Sequence, residues 1–400
     1  MLLGSRVSGA AGKAAITVLA LASTVGSTSA PALAIPARST SAPTLAVPSR
    51  SAGRTAAHVL AQLTLRQKVG QLFMVGTPAT SASLATRSQI TRYHVGNVML
   101  TGRSYGGTGA PARVAATMQA RTTRAATDGV RLLVATDQEG GQVQVLHGPG
   151  FSEIPSAREQ GRWYPSALQT RAGRWARQLR SVGVTMDLAP VEDTVPGLRA
   201  ADHNPPIGAF DREFGYTTRV VAHHGRAFVR GLSRHGVVPA IKHFPGLGRV
   251  SANTDTSAGV TDRVTTRHDA YLWPFAVSIR AGAPVVMISN AFYSQIDRRN
   301  PGPFSPRIVR TMLRGDLGFR GVAMSDDLAD ARQLSPWRWG VRAVRFIGAG
   351  GNLVLAVNPR VLPEMYSAVL RRAEHRPSFR AKVNSSALRI LRLKQARGLL

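Results

Sequence analysis

Residues 237–248 read VVPAIKHFPGLG. The apolar run VVPAI leads without a polar break into Lys242-His243, and Pro245-Gly246 then turn the chain. A short, continuously apolar segment is what a strand buried on both faces looks like, and such strands belong to parallel sheets covered by helices. Working outward, seven further runs have the same character: VGQLFMVG (69–76), VGNVML (95–100), RLLVATD (131–137), GVTMDLAP (183–190), PVVMISN (284–290), GVAMSD (321–326) and GNLVLAV (351–357). Between them lie longer stretches with helical spacing. ALQTRAGRWARQLRSVG (167–183) and TTRVVAHHGRAFVRGLSRHG (217–236) both end in glycine, as helices feeding a strand commonly do. Eight alternating units predict a single-domain α/β protein, a (β/α)8 TIM-type barrel. An open doubly wound sheet would also call for a Gly-rich dinucleotide turn, which is missing. The stretch from Pro363 to Leu400 carries helical patterns broken at Arg376-Pro377 and is expected to close the barrel rather than form a second domain.

The N-terminus reads differently. Arg6 and Lys13 precede the apolar run AAITVLALAS (14–23), and small residues follow, with PALA at 31–34. Residues 1–34 are therefore expected to be a secretory signal peptide, cut after Ala34 or Ala30. The run is too short for a membrane span, so none is expected once the signal is removed. Residues 35–57, rich in Pro, Ser, Ala and Thr, read as a disordered leader, and 58–400 as the barrel with its C-terminal helices. Cysteine is absent, which excludes disulfides and a thiol nucleophile.

The formal charge is +30, and the first acid is Asp128. Only five of the 51 basic residues are Lys, so arginine as the default surface residue accounts for most of the excess. Electrostatic association with anionic wall polymers follows as a side effect. No motif for reading nucleic acid accompanies the charge, and no metal cluster or cofactor fingerprint is present. His223-His224, within a helical pattern, read as ordinary surface.

Reactive groups of such barrels sit at the C-terminal ends of the strands. Here those ends carry Asp137, Asp187, Lys242-His243, Asn290 and Ser325-Asp326-Asp327. Five polar ends in a chain with 21 acids point to one site on one rim. In this order TDQEGGQV (136–143), DLAPVED (187–193), DREFG (211–215), KHFPGLG (242–248) and SDD (325–327) resemble the N-terminal barrel domain of glycoside hydrolase family 3, most closely its single-barrel β-N-acetylhexosaminidases. LAQLTLRQKVGQLFMVG (60–76) resembles that family's entry segment.

The resemblance implies a retaining exo-glycosidase for terminal β-linked N-acetylglucosamine, in a glycan or muropeptide fragment. Asp326 would be the nucleophile, and Asp137, Arg212, Lys242 and His243 would hold the sugar. Lys242 could instead serve as a counter-ion for Asp187 or Asp326. Asp327 reads as a cap, and Gly248 as a point where the loop can move. The resemblance breaks after KHFPGLG: Asn253-Thr254-Asp255 stand where the family has Asp-Ser-His, and Leu247 replaces another usual His. Three readings follow: Asp255 as the acid/base, Glu139 or Asp262 reaching in, or a barrel that binds sugar with impaired turnover. A β-glucosidase-like specificity remains the alternative for the sugar.

Overall fold

The computed structural model describes residues 54–400. The signal-peptide reading and all but the last residues of the leader lie outside the described residues. Ala56 and Ala57, assigned to the leader, already belong to the helix Ala56–Gln62.

Eight parallel strands close into a barrel. In chain order they are β1 (Phe73–Pro78), β2 (Asn97–Thr101), β3 (Leu133–Thr136), β4 (Met186–Asp187), β5 (Val238–Phe244), β6 (Val285–Ile288), β7 (Val322–Asp327) and β8 (Leu353–Ala356). Each pairs with its sequence neighbours, and β1 closes the ring by pairing with β2 (Met74↔Asn97) and β8 (Phe73↔Val354). All eight expected runs supply a strand. The first is shifted: Leu65–Gln71 is helical and β1 begins at Phe73. A capping box explains this, since the Thr64 hydroxyl accepts from Gln67 N–H (3.2 Å) and Gln67 Oε1 accepts from Thr64 N–H (2.9 Å). Gly70 is required there, because a Cβ would sit 2.1 Å from the His94 carbonyl oxygen.

Helices cover the outside, and the long pair Pro165–Ser181 and Thr218–Arg234 pack on each other. Their close approach needs Gly231, whose Cβ would meet Ala172 Cβ and the Gln169 carbonyl oxygen at 2.6 Å. His224, read as surface, is buried and bonds the carbonyls of Val220, in its own helix, and of Trp163, just before the other, at 2.8 and 2.9 Å. The chain breaks at Arg376-Pro377 as expected, and the last helix, Pro377–Gln395, packs on the two entry helices. Its buried Lys394 binds Gln71 Oε1 and the Gly96 carbonyl, both at 2.7 Å, with burial pushing the amine down to about 7.

At the opposite end, the segments after β3, β4, β5 and β7 build the rim. Phe244, the last residue of β5, meets Phe275 edge-on at 5.4 Å, a contact worth about 1 kcal/mol beyond its burial. That contact anchors the strand end that carries Lys242 and His243. Among the described residues no helix is long and apolar enough to cross a membrane.

Candidate active site

A cavity of about 400 Å³ opens at the C-terminal ends of the strands. Met99, Leu188, Met287 and Leu355 supply apolar lining from four barrel segments, and Asp137, Arg212, Lys242, His243, Asp255 and Asp326 all face the same space. The six residues singled out from sequence are thus brought together, although up to 189 positions separate them in the chain.

One wall is a closed ion network. Lys242 Nζ lies 2.7 Å from Asp137 Oδ1 and 2.6 Å from Glu139 Oε1. Arg212 grips Glu139 with two parallel bonds of 2.9 and 2.7 Å and donates a third, of 2.7 Å, to the Pro206 carbonyl. Burial is the largest single influence on Glu139 and would raise its pKa, but Arg212 and Lys242 together outweigh it and hold the carboxyl at about 2. Burial likewise works against charge on Lys242 and Arg212, and their carboxylates reverse it, so both cations are held more firmly than in water.

Beside this wall, His243 Nδ1 lies 2.7 Å from Asp193 Oδ2, while Asp193 Oδ1 accepts from the backbone N–H groups of His243 (3.2 Å) and Leu247 (2.7 Å). Asp193 is fully buried. With Nδ1–H given to Asp193, a neutral imidazole keeps Nε2 as the free ring nitrogen, an acceptor for a hydroxyl.

The other wall holds Asp326 and Asp255, neither of which has a cation partner among the described residues. Asp326, near the end of β7, is pushed up to about 6, chiefly by burial and next by the negative charge of Asp255, with His243 and Lys242 opposing. Its Oδ1 accepts from Asp327 N–H at 2.8 Å. Asp255 is exposed on the loop after β5. Cations that fix hydroxyls on one side and a carboxylate free to attack on the other are the parts that cleavage of a glycosidic bond needs.

A family profile described as the glycosyl hydrolase family 3 N-terminal domain matches residues 64–393. The chain belongs to glycosyl hydrolase family 3. A protein from Xanthomonas oryzae named beta-hexosaminidase is 32% identical over 306 residues, covering 74% of this chain and 87% of its own. Among solved structures, the beta-N-acetylhexosaminidase of Beutenbergia cavernae is 51% identical with a TM-score of 0.83, covering 84% of this chain and 99% of that one. A family 3 beta-N-acetylglucosaminidase from Paenibacillus is 31% identical with a TM-score of 0.76, covering 84% of this chain and 63% of that one.

Within this family 3 barrel several expectations need correction. Glu139 cannot reach in as an acid, since it is buried, ionised and committed to two cations. Asp262 is also buried and spent on its own turn, accepting from Val264 N–H, Thr265 N–H and the Thr265 hydroxyl at 2.8, 2.8 and 2.6 Å. Lys242 pairs with Asp137 and Glu139 rather than with Asp187 or Asp326. Asp187 lies beneath the site, where burial pushes it up to about 8, opposed by the N–H of Gln138 at 3.0 Å. Asp327 is structural, as expected, accepting from Val357, Ala329 and Asp330 N–H groups, each at 3.0 Å.

Gly248 marks a tight contact rather than freedom: a Cβ there would lie 1.9 Å from the Thr194 carbonyl oxygen. The loop it begins is further held by Asn204, whose amide donates to the Leu247 and Val250 carbonyls at 2.8 Å each. Asp193 is the functional residue that sequence reading passed over, and Glu139 was read as an alternative acid rather than as the counter-ion of two cations. Both sit inside motifs that were noticed, DLAPVED and TDQEGGQV, but nothing local shows that their partners arrive from 50 and 73 positions away.

Proposed function

We propose that this barrel is an exo-acting, retaining β-N-acetylhexosaminidase that removes terminal β-linked N-acetylglucosamine through a glycosyl-enzyme intermediate on Asp326. The observation that carries the reading is the division of one small cavity into a wall of fixed cations and a wall of uncompensated carboxyls. At about 400 Å³ the space is near the small end of ligand pockets, suited to one terminal sugar and its linked oxygen rather than to the middle of a polymer. The names of the Beutenbergia and Xanthomonas relatives support the N-acetylhexosamine preference.

In this reading Asp137, Arg212, Lys242 and the Nε2 of His243 bind the hydroxyls of the terminal sugar. A carboxylate oxygen of Asp326 bonds to the anomeric carbon as the bond to the leaving oxygen breaks, and Asp255 delivers a proton to that oxygen. Asp255, now a carboxylate, then takes a proton from water. The water oxygen bonds to the anomeric carbon and Asp326 is released. Asp255 takes the acid/base role because its charge is the negative one that acts on Asp326 and its side chain is unpaired among the described residues, whereas Asp330, a further carboxyl lining the cavity, accepts from the Asn358 amide at 3.2 Å. Retention requires the two carboxyls to work across roughly 5 Å.

Aryl β-N-acetylglucosaminide and aryl β-glucoside test the proposal side by side. Turnover of the first, lost in Asp326→Ala, is the expected result. Preference for the glucoside would change the sugar, and a folded protein that turns over neither would leave a sugar-binding barrel without catalysis. We further propose export, on the strength of Arg6, Lys13 and the apolar run 14–23, and salt-sensitive association with anionic wall polymers, on the strength of the +30 charge. N-terminal sequencing of protein recovered outside the cell, expected to begin at Ile35 or Pro31, checks the first. Sedimentation with isolated walls across a salt series checks the second.

A further inference from the structure

The loop that carries Asp255 is not tethered through its own residues alone. Gln333, buried in the segment after β7, reaches across and pairs with Val260 as a backbone strand would: its Oε1 accepts the Val260 N–H and its Nε2 donates to the Val260 carbonyl, both at 2.9 Å. Its own backbone N–H donates to the Thr254 carbonyl at 2.9 Å, and the neighbouring Arg332 N–H donates to the Asp255 carbonyl at 3.1 Å. Four bonds therefore span residues 254–260, two on each side of the loop tip. The segment that makes them starts at Asp326-Asp327, and the side chain of Asp327 locks its first turn through Ala329 and Asp330 N–H and ties it to β8 through Val357 N–H. Both carboxyls of the uncompensated wall are thus referred to one short, braced stretch of backbone.

Building on the reading of Asp255 as acid/base, we infer that Gln333 is a positioning residue for the reaction: it sets where the Asp255 carboxyl stands relative to Asp326. A polar side chain that is 1% exposed and bonded on both its donor and acceptor sides specifies one arrangement, because any shift of the loop strands buried polar groups. An exposed carboxyl on a loop needs such a brace, since proton delivery falls steeply with misplacement of even about 1 Å. Gln333 touches neither sugar nor reacting atoms, and its effect runs entirely through Asp255.

The test is a leaving-group series. kcat/KM is measured for aryl and alkyl β-N-acetylglucosaminides of rising leaving-group pKa, with wild type, Gln333→Met, Asp255→Asn and the double variant. Gln333→Met is expected to retain the rate on the most activated aryl substrate and to lose about tenfold or more on the poorest leaving groups. In the Asp255→Asn background the same change should add nothing. A loss by Gln333→Met that is equal across the series, or no loss at all, overturns the inference, as does full additivity with Asp255→Asn. A flat series for Asp255→Asn itself overturns the acid/base reading beneath it, so the two failures are distinguishable. Should Gln333→Met not fold, Gln333→Glu keeps an acceptor for the Val260 N–H, loses the donor, and is read by the same criteria.

Discussion

The two walls of the cavity solve opposite electrostatic problems. On the wall built from the ends of β3 and β5 and from Arg212, every charge has a partner, and Glu139 alone serves two cations. On the facing wall Asp326 and Asp255 have no cation partner among the described residues, and the charge of Asp255 opposes the ionisation of Asp326. A network with all charges paired is rigid and resists titration, which suits recognition. A carboxyl pushed up to about 6 is poised to change its bonding near neutral pH, which suits chemistry. The barrel keeps the two apart by taking them from different strands, so one can be disturbed without the other.

Four substitutions break that division in order of severity. Asp326→Asn removes the nucleophile and should lower kcat by about 10⁴-fold or more while binding of N-acetylglucosamine persists; parallel kinetics and calorimetry check it. Asp255→Asn should cost about 10²–10⁴-fold on poor leaving groups and little on activated aryl ones. It also removes a negative neighbour that raises Asp326, so the acid limb of the pH profile, set near 6 in the wild type, should move to lower pH. A limb that stays in place would mean that the two carboxyls do not sense each other.

Changes on the paired wall should affect binding and stability instead. Glu139→Gln leaves Arg212 and Lys242 undercompensated in a buried setting and should cost about 3 kcal/mol of stability, with KM raised more than kcat is lowered. The folded pKa of Glu139, about 2, lies below its ordinary 4.5, so its contribution is present above pH 4.5 and fades as pH falls toward 2. Variant and wild type should converge in acid unfolding. Asp187→Asn should be mildest. The wild-type carboxyl, raised to about 8, binds its proton more tightly when folded, so wild-type stability declines as pH rises from about 4 toward 8. The variant should gain relative to wild type over that range, as thermal melts at pH 5 and pH 8.5 would show.

Much of this was legible from residue order. The eight strands follow from short apolar runs with polar ends, because a strand covered on both faces has no other composition to choose. Asp326, Asp137, Lys242 and His243 were found because strand ends drew attention to them, while Arg212 came only with the family resemblance and Asp255 with the point at which that resemblance breaks. What could not be read was the pairing. Whether Glu139 is an acid in reserve or a fixed counter-ion depends on Arg212, 73 positions away, and the Asp193–His243 bond spans 50. Gln333 carried no signal at all, since an isolated Gln in a loop has no pattern until Val260 is placed against it. Gly248 misled for the same reason: a glycine chosen for closeness and one chosen for freedom look alike until the Thr194 carbonyl is seen beside it.

Covalent trapping tests Asp326 as nucleophile more directly than any substitution. The protein would be incubated with an N-acetylglucosaminyl fluoride carrying a second fluorine at C5, which slows breakdown of the glycosyl-enzyme, and then measured by intact mass and peptide mapping. Asp326 as nucleophile predicts a single added 5-fluoro-N-acetylglucosaminyl group on the peptide containing Asp326, with the anomeric fluoride expelled, and no adduct in Asp326→Ala. An adduct on another residue, or steady turnover of the natural linkage with inversion and no adduct, would contradict it.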